Sequence, residues 1–309
     1  GVPAEEHERF FREMLADIDE PTLPFGLAQV QGDGRGIAEV TESVGQVLSL
    51  RLRTQARLLG VSAASLVHLA WAQVLSMATG QKDVVFGTVL LGRMQGGEGA
   101  DRALGMFINT LPVRVPVDGQ SVRDAVRMTH GRLTGLLGHE HASLALAQRC
   151  SGVAAPTPLF SALLNYRHSA TQVTDEVMSA WSGMQMLSSE ERTNYPLTLN
   201  VDDLGDDFSL TVQVAAQIGA QRISGYMQVA LQSLVDALER APQTPVRSLT
   251  VLPQAERRQL LETWNASDAV YADDALIHGQ FEAWAAAQPD TVAVVFEDRT
   301  LTYAALDQA

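Results

Sequence analysis

Two apolar runs, residues 84–91 and 106–115, form the clearest pattern of hydrophobic and polar positions in the chain. Both runs are rich in Val, Ile, Phe and Thr, and a glycine-rich loop joins them, which is typical of two strands and their connection. Asn109 and Thr110 lie inside the second run, where a buried amide needs partners for its donors and its acceptor. Pro112 removes a hydrogen bond from the ladder, so we predict that the second strand lies at a sheet edge or a crossover.

Several stretches have apolar side chains at the three- and four-residue spacing of amphipathic helices. They are residues 4–18, 63–79, 121–141 and 221–239. Ser62 and Gly80 are suited to begin and end the second helix, and Ser121 with Asp124 forms a capping box for the third. Residues 46–60 alternate like a strand at first and then become helical.

Further strands are predicted over residues 158–166, 181–187, 196–204 and 208–215. The last two are joined by a Gly-Asp-Asp sequence at 205–207, which is typical of a hairpin. A polar cluster of the kind that rims a cleft follows the first of these strands: Asn165, Tyr166, Arg167 and His168. The acidic residues at 202–207 lack the twelve-residue spacing of a calcium loop, so we expect a solvated turn.

The composition excludes some classes of function. A chain of 309 residues is long enough for about two domains. Its net charge of −14 argues against nucleic acid, since binding phosphates needs Lys and Arg. The single cysteine, Cys150, fits a reducing compartment. The most apolar helical run, residues 66–78, is too short to span a bilayer, and no basic-then-apolar segment indicates secretion. We therefore expect a cytoplasmic protein without nucleic acid or membrane partners.

Few residues are candidates for chemistry. His68 lies on a predicted helix, where a histidine satisfied at the edge of the core is the simpler interpretation. His139 and His141 have the wrong spacing for two metal ligands on one helix face, and no third ligand stands nearby. The chain has no G-x-S-x-G nucleophile elbow, no G-x-x-x-x-G-K-S/T phosphate loop and no spaced Cys/His set. We therefore predict no metal site.

The central pair of runs carries a resemblance to a known family. FGTVLLGR followed by GMFINTLPVR is similar to the "FGxxxxGR" and "GxFxNTxxxR" patterns of condensation domains from non-ribosomal peptide synthetases. The residues that match the second pattern are Gly105, Phe107, Asn109, Thr110 and Arg114. The segment FFREML…EPTLPFGL resembles the one between the two lobes of such domains. The opening GVPAEEHERF, without a start methionine, is expected of a piece of a longer chain.

The composition changes at Ala241. Residues 241–270 contain an "LP…ER…LL…WN" pattern and resemble the linker between condensation and adenylation domains. Residues 271–309 look like the first part of an adenylation domain, and LTYAAL matches that family's "LTYxEL" except for Ala305 in place of Glu. The resemblance thus divides the chain into a C-terminal condensation lobe at 1–240, the linker, and an adenylation stub.

The resemblance implies an α/β fold, namely a lobe like that of chloramphenicol acetyltransferase with an open mixed sheet flanked by helices. Two such lobes form a V around a tunnel, and the catalytic HHxxxDG motif, with its general-base histidine, belongs to the first lobe. This chain has no His-His pair, so we expect no catalytic residue in it and no activity from the fragment alone.

By the same resemblance, five polar residues are candidates for the tunnel wall or for substrate binding: Asn109, Thr110, Arg114, Asn165 and Tyr166. A second interpretation of Asn109 and Thr110 stays open, in which the polar pair only pins the backbone of the crossover strand.

The resemblance also implies substrates and partners. Donor and acceptor are thioesters on the phosphopantetheine arms of two peptidyl carrier domains, and the other neighbours are the N-terminal lobe and an adenylation domain. No cofactor would bind this chain directly, and only the complete adenylation domain would need ATP and Mg²⁺. HEHASLALAQRCSG at 139–152 resembles a branch with D-configured donors and dual epimerisation–condensation activity.

Two alternatives remain open. A stand-alone two-lobed acyltransferase would use a free or CoA-bound donor, although the adenylation-like tail speaks against it. A non-catalytic module would only dock carrier domains, and an intact or degenerate HHxxxDG upstream would separate it from an enzyme.

Overall fold

The computed structural model describes residues 2–28, 36–91, 108–168, 193–269 and 276–309. Its contacts divide it into two compact units, Gly1–Gln254 and Ala255–Ala309, each with a sheet of its own. The predicted strand at 181–187 and the glycine-rich loop lie outside the described residues, as do Gly105 and Phe107 of the matching pattern.

The first unit is built on one six-stranded sheet. Its strands are β1 Ile37–Ser43, β2 Asp83–Leu90, β3 Asn109–Pro116, β4 Ala162–His168, β5 Leu197–Asp203 and β6 Phe208–Ala215. Their order across the sheet is β1-β6-β5-β4-β2-β3, with β2, β4 and β5 parallel to one another and the other pairs antiparallel. This open mixed sheet confirms the predicted fold class.

The helices described in this unit are α1 Ala4–Leu15, α2 Gln46–Leu59, α3 Ala63–Thr79, α4 Val122–Leu137, α5 Leu144–Arg149 and α6 Ala220–Arg240. Ser121 Oγ accepts a hydrogen bond from the Asp124 N–H at 3.1 Å, as the capping box predicts. Gly80 ends α3 with a φ of +74°, a left-handed conformation that favours glycine. The predicted inward side chains of α6 are all buried: Ile223, Tyr226, Met227, Leu231, Leu234, Val235 and Leu238.

The two strands predicted from the apolar runs 84–91 and 106–115 are neighbours in the sheet. β2 and β3 pair antiparallel, with Gly87 opposite Pro112 and Leu90 opposite Asn109. β3 is the last strand of the sheet and pairs only with β2. The missing N–H of Pro112 therefore costs no hydrogen bond to a further strand.

Other local predictions were wrong. The strand-like start at residues 46–52 is helical throughout, because Leu48, Leu52 and Ala56 follow one another at a spacing of four and form the buried face of α2. β1 was not expected from its sequence. The strand predicted at 158–166 begins and ends later, so that Asn165 and Tyr166 lie inside β4 and do not follow it.

Strand alternation gives the sheet two unlike faces. The helix-covered face packs against α2, α3 and α6, and His68 Nε2 of α3 lies 2.9 Å from Thr88 Oγ1 of β2. The opposite face, named here the polar face, has a row of polar side chains on four consecutive strands. These paired residues are Thr41, Thr211, Asn200 and Asn165.

The predicted hairpin of β5 and β6 is confirmed, and Gly205 in its turn has a φ of +92°. The acidic residues beside it are not simply solvated. Only 4% of the Asp203 side chain is exposed, and Asp207 accepts hydrogen bonds from Ser43 and Ser49. These carboxylates are engaged because α2 and β1 bring donors to them, which the local sequence does not reveal.

The second unit begins inside the segment predicted as a linker. Residues up to 254 belong to the first unit, where Val246 is buried and its N–H donates to Gln120 O at 2.9 Å. The elements from residue 254 onward are α7 Gln254–Arg258, a π-helical turn Gln259–Thr263, α8 Ile277–Ala287, β7 Val292–Phe296, β8 Arg299–Thr302 and α9 Tyr303–Asp307.

Within the described ranges, no single helix is long and apolar enough to cross a membrane. The helices α2 and α3 reach that length and composition only together, and the chain bends by 110° between them.

Candidate functional site

The carboxyl ends of β2, β4 and β5 lie side by side at one end of the sheet because these strands are parallel. This row of strand ends is named here the carboxyl edge. β3 runs the other way and begins at the same edge with Asn109. Ligands of open α/β sheets commonly bind outside the carboxyl ends of the strands. This carboxyl edge is therefore the candidate functional site.

A cleft of about 420 Å³ opens at the carboxyl edge, between β4, β5 and the junction of α2 with α3. Tyr166 and His168 of β4 line it, together with Asp203 of β5. The opposite wall comes from Arg53 and Arg57 of α2 and from the first residues of α3. The polar cluster predicted after the strand at 158–166 thus contributes two of its members to a cleft.

Asp203 is the centre of the hydrogen-bonding network in this cleft. The Tyr166 hydroxyl donates to its Oδ2 at 2.7 Å, and Arg53 Nη2 donates to its Oδ1 at 2.6 Å. His168 Nδ1 lies 3.2 Å from Oδ2, and most of the His168 side chain is exposed. The Arg53 guanidinium also lies 4.1 Å above the centre of the Phe208 ring, a cation–π contact that holds it in place.

The protonation of this network follows from its contacts. Burial alone would raise the pKa of Asp203, but the hydrogen bonds from Arg53 and Tyr166 outweigh burial and lower that pKa to about 2. Burial, followed by the bond to Asp203, raises the pKa of the Tyr166 phenol above its ordinary value. At neutral pH, Asp203 is therefore an anion and Tyr166 a neutral donor, so neither is suited to accept a proton from a substrate.

Asn165 precedes Tyr166 in β4 and points to the polar face. Its Nδ2 donates to Asn200 Oδ1 at 3.1 Å on the neighbouring strand β5. Along the same row, the hydroxyls of Thr41 and Thr211 are 2.9 Å apart. Asn165 thus belongs to a different network from that of the cleft.

Thr110 also lies on the polar face, next to Gly87, where the surrounding atoms leave no room for a side chain. A Cβ on Gly87 would lie 2.9 Å from Thr110 Cγ2, 2.8 Å from Leu163 Cδ1 and 2.6 Å from Phe160 Cε2. Glycine at this position of the FGTVLLGR run is therefore required by packing between β2, β3 and β4.

Asn109 is held by the backbone between α4 and α5. Its Nδ2 donates to Glu140 O at 2.9 Å and to Ala142 O at 2.7 Å, and its Oδ1 accepts from the Thr110 N–H at 2.9 Å. Contacts of this kind, between a polar side chain and backbone groups, are what we expect if Asn109 only pins the backbone. They use both amide protons of the side chain.

Arg114 lies toward the other end of β3, opposite Val85 near the start of β2. Its guanidinium donates to Asp83 Oδ2 at 2.5 Å and to Asp17 Oδ1 at 2.6 Å, which joins the segment after α1 to the sheet. Arg132 of α4 donates to its carbonyl oxygen. Arg114 is therefore engaged in contacts away from the carboxyl edge.

The structure thus divides the predicted site residues. Tyr166 and Asn109 lie on the helix-covered face, Thr110, Asn165 and Arg114 lie on the polar face, and Arg114 is also distant from the edge. Arg53 and Asp203 were missed as members of the cleft. No sequence pattern joins them, since 150 positions separate the two residues.

The histidines have structural partners. His68 is buried, with Nδ1 2.7 Å from Ala64 O and Nε2 near Thr88, as expected of a satisfied core histidine. His139 Nδ1 lies 2.8 Å from His7 Nδ1, and its ring stacks on Phe10 at 4.1 Å. In the part of the chain that the structure describes, no group of three His, Cys, Asp or Glu side chains could hold a metal ion.

Comparison with known proteins places this geometry in a family. The condensation domain family matches residues 4–261. The chain is 52% identical over 307 residues to the malpinin synthetase of Mortierella alpina, covering 99% of this chain and 4% of that protein. It is 31% identical over 306 residues to a linear gramicidin synthase protein of Brevibacillus parabrevis, covering 97% of this chain and 6% of that one. The chain therefore spans only a small part of these relatives.

Solved structures share the fold at low sequence identity. A four-domain nonribosomal peptide synthetase bound to AMP and glycine matches with a TM-score of 0.75 and 16% identity, over 98% of this chain and 24% of that one. The first condensation domain of the calcium-dependent antibiotic synthetase, in complex with a substrate analogue, matches with a TM-score of 0.57 and 18% identity, over 82% of this chain and 55% of that one. With the family match over residues 4–261, the sheet and its helices show that the chain belongs to the condensation domain family of nonribosomal peptide synthetases.

Proposed function

We propose that this chain is the second lobe of a condensation domain, followed by a linker and the start of an adenylation domain. In the complete synthetase it takes part in forming an amide bond between two carrier-bound aminoacyl or peptidyl thioesters. The observation that carries the proposal is the family match over residues 4–261 in a chain without a His-His pair. The catalytic histidine of HHxxxDG then comes from a first lobe.

The reaction requires two positioned thioesters and a base. The acceptor amine attacks the donor carbonyl carbon, the new N–C bond forms, and the C–S bond breaks as the donor's pantetheine thiol leaves. The amine proton passes to the general base, which this lobe does not supply. With Asp203 anionic and bound by Arg53 and Tyr166, the lobe's contribution is to bind, orient and enclose the reactants.

We place this lobe's part of the tunnel wall at the carboxyl edge. Asn109, Thr110, Asn165 and Tyr166 lie at or near that edge, from either face of the sheet. Within this proposal Tyr166 is the leading contact, because it lines an open cleft. Arg114 has a structural role, since its guanidinium binds Asp17 and Asp83.

The partners follow from the reaction. Two peptidyl carrier domains deliver donor and acceptor on phosphopantetheine arms in the cytoplasm, and no cofactor resides in the lobe itself. The second unit, Ala255–Ala309, continues into an adenylation domain, which needs ATP and Mg²⁺ only when complete. Support comes from the similarity to peptide synthetases along 97–99% of this chain.

The domain layout has a simple test. The 309-residue chain should show no amino-acid-dependent ATP–pyrophosphate exchange, because residues 271–309 resemble only the first part of an adenylation domain. Exchange above the level of a no-enzyme control would contradict the assignment of residues 271–309 as a stub.

The donor branch is a finer proposal. The segment HEHASLALAQRCSG at 139–152 resembles the branch that accepts D-configured donors and combines epimerisation with condensation. A complete domain containing this lobe should therefore condense an L-loaded donor only after epimerising it. Products with an unchanged L donor residue would contradict this branch.

The function itself is tested in a complete condensation domain that contains this lobe. Replacement of the second histidine of HHxxxDG by Ala should abolish amide formation from two loaded carriers while the protein still binds them. Full activity of that variant would contradict a general base in the first lobe. An inactive wild type that binds carriers would instead indicate a docking module.

A further inference from the structure

His168, at the end of β4, has one ring nitrogen held by a carboxylate. Its Nδ1 lies 3.2 Å from Oδ2 of Asp203, which the hydrogen bonds from Arg53 and Tyr166 keep anionic. An anionic carboxylate accepts hydrogen bonds and donates none, so Nδ1 of the neutral imidazole carries the ring proton. The lone pair of the neutral ring is therefore on Nε2, the nitrogen that Asp203 does not hold.

The surroundings of His168 suit proton transfer. Its side chain is 73% exposed and lines the cleft of about 420 Å³, whereas 4% of the Asp203 side chain is exposed. A buried carboxylate that orients one nitrogen of an accessible imidazole leaves the other nitrogen free to take up a proton. His68 differs, since both of its ring nitrogens have partners inside the core. The cleft thus contains a proton acceptor that neither Asp203 nor Tyr166 provides.

The proposed reaction removes two protons from the nitrogen of the acceptor. An α-amino group has a pKa of about 7.7–8.0, so at neutral pH the acceptor is mostly an ammonium ion, which has no lone pair with which to attack. One proton must leave before attack, and the second leaves as the N–C bond forms. A general base in the first lobe accounts for one of these two protons, and the other needs a second acceptor.

The charges of the cleft favour release of the first proton. Its lining contains two guanidinium groups, those of Arg53 and the exposed Arg57, and one carboxylate, that of Asp203. Nearby positive charge disfavours the ammonium form of a bound amine. The Asp203 carboxylate, in direct contact with Nδ1, stabilises the imidazolium that forms when His168 takes the proton. Both effects favour transfer of the proton from the acceptor nitrogen to Nε2.

We propose that His168 deprotonates the acceptor ammonium and that Asp203 is its positioning residue. The ammonium N–H gives its proton to Nε2, which produces a neutral amine and an imidazolium whose Nδ1–H stays bound to Asp203. The amine then attacks the donor carbonyl carbon, and its second proton passes to the general base of the first lobe. The imidazolium returns its proton to water, to which the side chain is exposed. This proposal rests on the function proposed above, which supplies the acceptor amine.

The test measures single-turnover amide formation by the complete condensation domain that contains this lobe, with saturating loaded carriers, between pH 6 and 8.5. His168→Gln should lower the rate about tenfold or more at pH 6.5, where the acceptor is mainly ammonium, and less than about twofold at pH 8.5, where the free amine predominates. The denaturant midpoint should stay that of the wild type, because the side chain is exposed. His278→Gln is the matched control, since His278 is also exposed and does not line the cleft. It should keep the wild-type rate at both pH values.

A second acceptor separates deprotonation from a general effect on the cleft. An aminooxyacyl thioester is already a free base at pH 6.5 and needs no proton removed before attack. Wild type and His168→Gln should therefore condense this acceptor at equal rates.

The outcomes separate the role of His168 from the function of the lobe. Wild-type rates of His168→Gln throughout the pH range would overturn the proposal. A defect of equal size at pH 6.5 and 8.5, or one that persists with the aminooxy acceptor, would also overturn it. These outcomes leave the proposed function standing, because the wild-type domain still forms the amide. A wild-type domain that forms no amide would instead contradict the function, and the role of His168 with it.

Discussion

Asn165 and Tyr166 are consecutive residues of β4 that hydrogen-bond on opposite faces of the sheet. The Asn165 amide donates to Asn200 Oδ1 at 3.1 Å on the polar face, and the Tyr166 hydroxyl donates to Asp203 Oδ2 at 2.7 Å on the helix-covered face. A single cavity in the body of the sheet cannot be lined by both side chains. They can share a site only where both faces end, at the carboxyl edge.

Tyr166→Phe should destabilise the protein through Asp203. The variant removes one hydrogen bond to a buried carboxylate, which typically costs about 1.5–3 kcal/mol of unfolding free energy. Chemical denaturation at pH 7 measures this change. Tyr195→Phe is the control, because Tyr195 stacks on Phe160 and its hydroxyl has no hydrogen-bond partner among the described residues. Equal midpoints for the two variants would contradict the role of the phenol.

Asn109→Ala should lower the unfolding free energy by about 1–3 kcal/mol, because it leaves the carbonyls of Glu140 and Ala142 without their donor. The denaturant midpoint of the chain and the condensation rate of the complete domain are measured together. A variant with an unchanged midpoint and a reduced rate would contradict backbone pinning and leave Asn109 only its place in the proposed tunnel wall.

Gly87→Ala should destabilise the sheet by about 1–3 kcal/mol, because the new methyl group would overlap Phe160, Leu163 and Thr110. Gly131→Ala is the matched control in the middle of α4, where a Cβ meets nothing within 4 Å. That control should gain about 0.5–1 kcal/mol, because Gly in a helix interior is unfavourable. Similar effects of the two substitutions on thermal unfolding would contradict close packing at Gly87.

His68 should make stability depend on pH. Burial lowers its pKa from 6.5 to about 4 in the folded protein, so between these values the unfolded chain binds a proton that the folded protein does not. The contribution of neutral His68 to the free energy of unfolding is fully present above pH 6.5, and it is lost as the pH falls toward 4. At about 1.36 kcal/mol per pKa unit, the loss reaches about 3 kcal/mol.

Denaturation of wild type and His68→Gln at pH 7.5, 6 and 5 checks this prediction. The variant should be less stable at pH 7.5 and should lose less on acidification. A slope in His68→Gln equal to that of the wild type would assign the acid sensitivity to other groups.

The sequence was sufficient to predict those helices and strands whose pattern of apolar residues is long and lies within one segment of the chain. The seven apolar residues of α6 follow the helical period, and the paired runs around Pro112 have strand composition and turn residues at their ends. Prediction from the sequence failed at residues 46–52. There the buried Leu48 and Leu52 of α2, together with the exposed Val47 and Leu50, resemble the alternation of a strand.

The site was less predictable than the fold. The cleft depends on contacts between Arg53 in α2 and Asp203 at the end of β5, which no local pattern encodes. The polar residues of β4 were identified, but their separation onto two faces follows only from the strand register.

Amide formation by the 309-residue chain alone tests the central claim most directly. Donor and acceptor carrier domains, each loaded with an aminoacyl thioester, are incubated with the chain, and the condensed product is measured by mass spectrometry of the carriers. We predict no product above a carrier-only control, and product only when a separately produced first lobe with HHxxxDG is added. Product formed by the chain without that lobe would contradict the assignment of this chain as a second lobe without a general base.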